Sequence, residues 1–321
     1  MSIQVAVIGA AGYTGGETLD LLLGHPEFVV AYAQSNSQAG KLLHEVHPRL
    51  LGRTDLRFRE GAPSADRELD AWIVCSGHGR AKAFLEANPP MAGTRVVDLS
   101  SDFRAEGDHD FVYGLPEAFS GKVKRAHCVA NPGCFATAIQ LSLLPVAAWD
   151  QLKNPVTVTA ITGSTGAGQA PSPTTHFSWR ADNLSVYKTY GHQHIGEIRQ
   201  TLRKVAGVDD AEVPSVNFVP VRGNFTRGIF CVTQMPTDLT QAQVEEAFAE
   251  YYAEAALTFA TDTPPDLQQV VRTNKALVHP IVRRGQLCVV SMIDNLRKGA
   301  SSQAVENLNL MFGLDGACGL L

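Results

Sequence analysis

Short apolar runs alternate with amphipathic stretches along the first third of the chain. Ile3–Ile8 reads as a strand, residues 12–23 as a helix and residues 28–34 as a second strand. Residues 71–75 and 95–99 are further apolar runs, with a helix around 80–87 between them. Strands that are apolar at every position are buried on both faces, which calls for helices on either side of a parallel sheet. The pattern predicts an α/β protein whose N-terminal part is a Rossmann-type doubly wound domain.

The pattern changes after Asn131-Pro132-Gly133. A long helix over Cys134–Ala148 leads to a strand over Val156–Thr162, then to a Gly/Ser/Thr/Pro-rich loop from Gly163 to about Thr175. Residues 215–221 and 226–235 read as strands flanking Arg222-Gly223-Asn224-Phe225, placed as neighbours in an antiparallel sheet. An amphipathic helix over 241–255 and a strand over Gln286–Ile293 follow. Residues 300–312 form a last helix with Ala304, Leu308 and Met311 or Phe312 on one face, positioned to return to the first domain.

Composition narrows the classes. The chain has 321 residues, enough for two domains; 45% are hydrophobic, 18% are charged, and the net charge is -5 without a run of Lys or Arg. That balance argues against nucleic acid or an anionic membrane as a partner. The first residues enter an apolar strand at once, unlike a basic leader, and no apolar run reaches the roughly 18–20 residues that span a bilayer. Six scattered cysteines without a C-x-x-C pair fit reduced thiols, so a cytoplasmic protein is expected.

Two places carry candidate chemistry. Gly9-Ala10-Ala11-Gly12-Tyr13-Thr14-Gly15 follows the first strand and opens a helix, where glycines permit a tight turn and helix N–H groups face a pyrophosphate. The spacing is G-x-x-G-x-x-G, so an ordinary strand-to-helix turn competes with that reading. At the end of the second strand, a site for NAD places Asp or Glu on the ribose 2′-OH. Here the chain reads Gln34-Ser35-Asn36-Ser37-Gln38-Ala39-Gly40-Lys41, with no acid before Glu45. Hydroxyls and a Lys suit a 2′-phosphate, which a carboxylate would repel. NADP(H) is the expected cofactor.

The second place is Cys134, where the Pro-Gly turn becomes a helix. A thiol there feels the positive end of the macrodipole, which lowers its pKa from about 8.5 toward roughly 3.5–7.5, and nearby unpaired N–H groups suit an oxyanion. A small residue packed under the sheet fits the same position. His192-Gln193-His194 opens another helix, and imidazoles at i, i+2 do not share a face, so a zinc pair is disfavoured and no metal is expected. One imidazole suits acid/base work and the other substrate binding or helix capping, although a surface pair has the same spacing. His25, His44, His47 and His109 read as loop or surface residues, and Cys75 as core.

Taken together, nearly the whole chain resembles the N-acyl-γ-glutamyl-phosphate reductases, the semialdehyde-forming family of arginine biosynthesis. The resemblance rests on the glycine turn, Asp98-Leu99-Ser100-Ser101-Asp102-Phe103-Arg104, Tyr113-Gly114-Leu115-Pro116-Glu117 and Asn131-Pro132-Gly133-Cys134. It continues through Gly163-Ser164-Thr165-Gly166-Ala167-Gly168, His192-Gln193-His194, Gly223-Asn224-Phe225-Thr226-Arg227-Gly228 and Asp294-Asn295-Leu296-Arg297-Lys298-Gly299-Ala300. It implies an NADP-binding domain over 1–133, completed by 299–321, and an α+β catalytic and oligomerisation domain over 134–298.

It also implies the reaction of an acyl phosphate with NADPH to give a semialdehyde and inorganic phosphate through a thioester on Cys134, with His194 as acid/base. Arg104, Asn131, Ser164, Gly166, His192, Glu197 and Arg227 would contact substrate, with Arg104 and the 164–168 loop on the phosphate. Gly9, Ala11, Gly12, Tyr13, Thr14, Gly15, Ser35, Ser37, Lys41, Ser76, Gly168, Asn295 and Lys298 would contact the cofactor. A homodimer or homotetramer follows from the family alone. The competing readings are a succinyl or aminoadipyl analogue of the substrate, an aspartate-semialdehyde dehydrogenase, and a non-catalytic NADP sensor.

Overall fold

A computed structural model describes residues 2–64 and 68–321. Its contacts divide the chain into two units, Met1–Pro132 with Ala300–Leu321, and Gly133–Gly299.

In the first unit, β1 (Ile3–Ile8), β2 (Phe28–Ala33), β3 (Ala71–Val74), β4 (Arg95–Asp98), β5 (Phe111–Tyr113) and β6 (Cys128–Ala130) form one sheet in the order β2-β1-β3-β4-β6-β5. Every pairing is parallel. β3 is buried at each of its positions, the two-faced burial that its apolar run predicts. The helices of this unit are α1 (Tyr13–Leu22), α2 (Leu43–Val46), α3 (Ala81–Ala87), α4 (Pro116–Val123) and α9 (Ser302–Met311). Strand order reverses at β1, so the crevice beyond the C-terminal ends of β1 and β3 is the place where such sheets bind ligands.

α9 follows a π-helical turn, Arg297–Ser301, and packs on α1, α4 and β4. The single apolar face expected for it gives way to burial on all sides. Its polar side chains find partners inside the protein. Asn307 Nδ2 donates to Gly114 O at 2.8 Å, and Asn309 Nδ2 donates to Cys318 O at 2.9 Å. His25, expected at the surface, is buried here too: Nε2 lies 3.0 Å from Asn309 Oδ1 and the ring stacks on Phe28 at 4.1 Å.

The second unit holds β7 (Val156–Thr162), β8 (Ser185–Val186), β9 (Val216–Arg222), β10 (Ile229–Pro236), β11 (Thr258–Ala260), β12 (Ala276–Arg283) and β13 (Gln286–Ile293), in the order β11-β12-β13-β10-β7-β9-β8. Its helices are α5 (Cys134–Ala148), α6 (Phe177–Arg180), α7 (His194–Ala206) and α8 (Gln241–Tyr252). Here the expected pairing is corrected: β9 and β10 are not neighbours. β7 lies between them, parallel to β9 and antiparallel to β10.

Residues 223–228 cross the end of β7 and are strapped to it: Gly223 N donates to Thr162 O at 2.8 Å and Gly163 N to Gly228 O at 2.9 Å. Two strand spacings are about 9.6 Å, well within reach of such a loop. α5 is buried from Phe135 to Ala147 and packs on α7, β10 and β13. That burial fixes the position of its first residue, Cys134.

Candidate active site

At the ligand edge of the first unit, α1 starts behind Gly12, its N-cap. Gly9 has φ +73°, and a Cβ there would meet the backbone of Cys75 and Ser76 at 2.9 Å. A Cβ on Gly15 would meet the backbone of Ala10 at 2.6 Å. These two glycines let the ends of β1, β3 and α1 close up. Gly12 is different: the nearest atom to a Cβ there is Gly9 O at 3.8 Å, and no side chain caps the helix. Uncapped N–H groups behind open space, continued by Ala11, Tyr13 and Thr14, fit a pyrophosphate.

Two residues given no role from sequence hold this turn. Gln34 Oε1 accepts from Gly9 N at 3.0 Å, and His47 Nε2 lies 2.9 Å from Ala10 O. Beyond β2, the Ser35 and Ser37 hydroxyls are 3.5 Å apart and Lys41 is exposed, without a carboxylate in the stretch. That set fits a ribose 2′-phosphate. Past β3, the buried Ser76 Oγ has no hydrogen-bond partner, an orphan that a ligand would satisfy. The residues present therefore fit NADP(H).

Two further residues of this unit turn inward. Arg104 is buried, with Nε donating to Asn131 O and Nη2 to Leu99 O, both at 2.8 Å. That edge of the guanidinium ties together the chain beyond β4 and β6, so a two-pronged grip on phosphate is not built from it. Asn131 is completely buried; its Nδ2 donates to Ala300 O at 3.2 Å and its Oδ1 accepts from Asn307 at 3.1 Å. Its amide braces the turn between these partners.

In the second unit, Cys134 is the first residue of α5, behind an N-cap Gly133 with extended backbone and no side-chain cap. Gly133 N donates to Glu197 Oε2 at 3.0 Å, which ties the start of α5 to α7. The rings of His192 and His194 stand edge to face at 4.5 Å, and Phe135 packs against them at 5.5 and 6.3 Å. His192 Nδ1 accepts from His194 N at 3.2 Å, which leaves Nε2 to carry the proton. Burial, helped by the charges of Lys188 and Arg222, pushes His192 down to about 4. His194 Nε2 lies 3.8 Å from Glu197 Oε1, both side chains being buried. The pair thus divides into a neutral hydrogen-bonding imidazole and one backed by a carboxylate, the division that sequence left open.

Other residues expected to contact substrate or cofactor are held within the protein. Four amides of the 164–168 turn are engaged: Ser164 N donates to Phe225 O at 2.8 Å, Thr165 N to Thr226 O at 3.1 Å, Gly166 N to Gly163 O at 3.2 Å and Gly168 N to Thr165 O at 3.1 Å. These amides are not free to form a backbone nest for phosphate. Asn295 Oδ1 accepts from Gly228 N at 2.8 Å, and its Nδ2 donates to Thr165 Oγ1 at 3.0 Å. Arg227 Nε lies 3.0 Å from the buried Asp294 carboxylate, which anchors the loop, and Lys298 is fully buried. Gly299 lies against Cys134: a Cβ on it would meet Cys134 Cβ at 2.9 Å. Burial pushes Cys75 up to about 12, in keeping with a core thiol. Among the described residues, no cluster of His, Cys, Asp and Glu could hold a metal ion.

Residues 4–126 match the family model described as the semialdehyde dehydrogenase NAD binding domain, and residues 134–295 match the semialdehyde dehydrogenase dimerisation domain. The N-acetyl-γ-glutamyl-phosphate reductase of Parabacteroides distasonis is 47% identical over 319 residues, 99% of this chain and 98% of that protein. The chain belongs to this reductase family. Reductases of the same name from Bacteroides thetaiotaomicron and Christiangramia forsetii are 46% and 44% identical, each over 99% of this chain and 98% of the relative. Among solved structures, aspartate semialdehyde dehydrogenase II from Vibrio cholerae superposes with a TM-score of 0.74 at 19% identity, covering 98% of this chain and 99% of that one. The Candida albicans aspartate semialdehyde dehydrogenase, solved with NADP, gives 0.71 at 15%, covering 97% and 99%. At these identities the likeness speaks for the fold alone, and the reductase family sets this chain apart from the aspartate enzymes. No helix among the described residues is long and apolar enough to cross a membrane.

Proposed function

We propose that the chain reduces N-acetyl-γ-glutamyl phosphate to N-acetylglutamate γ-semialdehyde with release of phosphate, a step of arginine biosynthesis, in the cytoplasm. The observation that carries this reading is a cysteine at the first position of α5, with two buried imidazoles against its neighbour Phe135, in a chain of this reductase family. Residues 1–133 with 299–321 are assigned to the cofactor, and 134–298 to catalysis and assembly.

His194 accepts the thiol proton, with the Glu197 carboxylate beside it. The Cys134 sulfur attacks the acyl carbonyl; a C–S bond forms, the C–O bond to phosphate breaks, the phosphate leaves and takes a proton from water, and a thioester remains on the protein. The uncapped first turn of α5 directs N–H groups at the developing oxyanion. The glycine turn, Ser35, Ser37, Lys41 and Ser76 would hold the reduced dinucleotide, which would supply the hydride to the thioester carbonyl. The oxyanion then collapses, the C–S bond breaks, and His194 returns its proton to the sulfur as the aldehyde departs.

The test is the reverse reaction. Semialdehyde, phosphate and NADP should yield NADPH only when phosphate is present. Cys134→Ala should lower the rate on the order of 10³-fold or more while still binding NADP. An active Cys134→Ala enzyme would overturn the assignment of the nucleophile. Acetyl-, succinyl- and aminoadipyl-derived aldehydes belong in the same assay, because one CH₂ is worth only about 1–3 kcal/mol of discrimination.

A homodimer or homotetramer is part of this reading. Phe177, Leu184, Val186 and Tyr190 are 82%, 59%, 63% and 66% exposed, and they lie within the stretch matched to a dimerisation domain. A second copy is the partner that these exposed apolar residues support. Phe177→Asp with Tyr190→Asp should lower the sedimentation mass; an unchanged mass would place the contact elsewhere.

A further inference from the structure

Three arginines of the second unit are held in three different ways. Arg180 uses all its donors on the protein: Nε reaches Thr174 O, Nη1 reaches Asn183 O and Arg222 O, and Nη2 reaches Thr174 O and Ser185 Oγ. Arg227 is paired with Asp294. Arg222 has neither arrangement. Its one hydrogen bond runs from Nη1 to Ser164 O at a long 3.4 Å, its guanidinium lies 4.8 Å from the ring centroid of Tyr187, and no carboxylate among the described residues pairs with it. It is half-buried. A partly desolvated cation without a counter-charge is costly unless an anion completes it.

Its surroundings tie it to the reaction centre. Arg222 ends β9, in register with Thr162 of β7, and its carbonyl is held by Arg180 at 2.8 Å. The Tyr187 ring is 5.9 Å from His192, and His192 is 5.5 Å from Phe135, the residue after Cys134. The electrostatics agree, since Arg222 and Lys188 help hold His192 neutral and the Cys134 charge is felt at Tyr187. Four amides of the neighbouring 164–168 turn are engaged, so what this corner offers an anion is the planar fork of Arg222. Such a fork grips a flat carboxylate through two parallel hydrogen bonds.

We propose that Arg222, its face held on Tyr187, binds the α-carboxylate of the acylamino-acid substrate, with the exposed Lys188 adding positive charge nearby. The inference rests on the reading of the substrate given above. Arg222 then selects for an acylated amino acid over a simple acyl phosphate of the same length.

The experiment compares two aldehydes in the reverse reaction, N-acetylglutamate γ-semialdehyde and γ-acetamidobutyraldehyde, which lacks only the α-carboxylate. Arg222→Gln should lower kcat/KM for the first on the order of 10²-fold. It should leave the second within about threefold, and should leave the KM for phosphate and the iodoacetamide labelling rate of Cys134 unchanged. Arg222→Lys, which keeps the charge and loses the fork, should fall between and serves should the Gln variant not fold. Equal losses on both aldehydes, or a raised KM for phosphate, overturn the proposal. Should the wild-type enzyme turn over neither aldehyde, the substrate reading fails instead. Protection of Cys134 from iodoacetamide by N-acetylglutamate but not γ-acetamidobutyrate then decides the carboxylate site: loss of protection in Arg222→Gln supports it, and retained protection overturns it.

Discussion

Glu197 sits in the first turn of α7 yet serves the first turn of α5, through Gly133 N at 3.0 Å and the neighbouring His194 at 3.8 Å. Such a carboxylate positions other groups. Glu197→Gln keeps an acceptor but removes the charge, so kcat should fall on the order of 10²-fold with KM nearly unmoved. Steady-state kinetics check this, and a raised KM with kcat intact would restore the substrate contact that the family resemblance implied. His192 gives a second residue-scale prediction. With its pKa at about 4 it stays neutral above pH 5, so His192→Gln should slow the enzyme without moving the acidic limb of the pH–rate profile. The sequence showed which two imidazoles to examine. It did not separate them, because the difference lies in a backbone N–H and a carboxylate that only the folded chain brings close.

At the scale of elements, the legible parts were those whose periodicity is local. β1, β7, β13 and α5 stand where the apolar runs put them, with β1 and β7 ending at a glycine turn and at the Gly163 loop. β5 and β6 have three residues each, too short for a period to be read. β12 was hidden by Pro280, yet that proline lies past the stretch paired with β11, on the edge where α8 supplies Gln241 to the adjacent Pro280 O and Val282 N. The Lys298-Gly299-Ala300 turn carries the prediction at this scale. Gly299→Ala drives a Cβ to 2.9 Å from that of Cys134, so either the π-helical turn or the thiol must shift. Urea unfolding should register a loss of about 1–3 kcal/mol, and the labelling rate of Cys134 should change with it. A neutral result would mean that the turn is loose.

For the molecule as a whole, buried histidines set the response to acid. Burial is the largest cause lowering His25, His47 and His192, so the unfolded chain takes up their protons first as pH falls below about 6.5. Their stability contribution is complete above that pH and is lost as pH falls toward the folded values. Asp98 works against this trend: burial raises it to about 6, so the folded state binds its proton first. Three groups against one should still lower Tm between pH 7 and pH 5, which a thermal scan in matched buffers reads directly. A Tm that rises instead would mean that Asp98 and other carboxylates dominate. His25 and His47 looked like surface residues because their partners, Cys318 with Asn309 and the Ala10 carbonyl, lie far away in sequence.

β7 has a consequence in time as well as in space. Both of its sheet neighbours are made later: β9 follows about sixty residues downstream, and β10 comes after it. During synthesis this strand therefore leaves the ribosome with two bare edges and stays unpaired until the chain has grown through β9 and β10. Its partners are non-local, which slows assembly of the second unit and exposes it to wrong pairing. Early termination anywhere between Gly163 and Ser215 leaves a nascent chain whose future central strand is sticky, and chaperones that shield extended segments have most to do there.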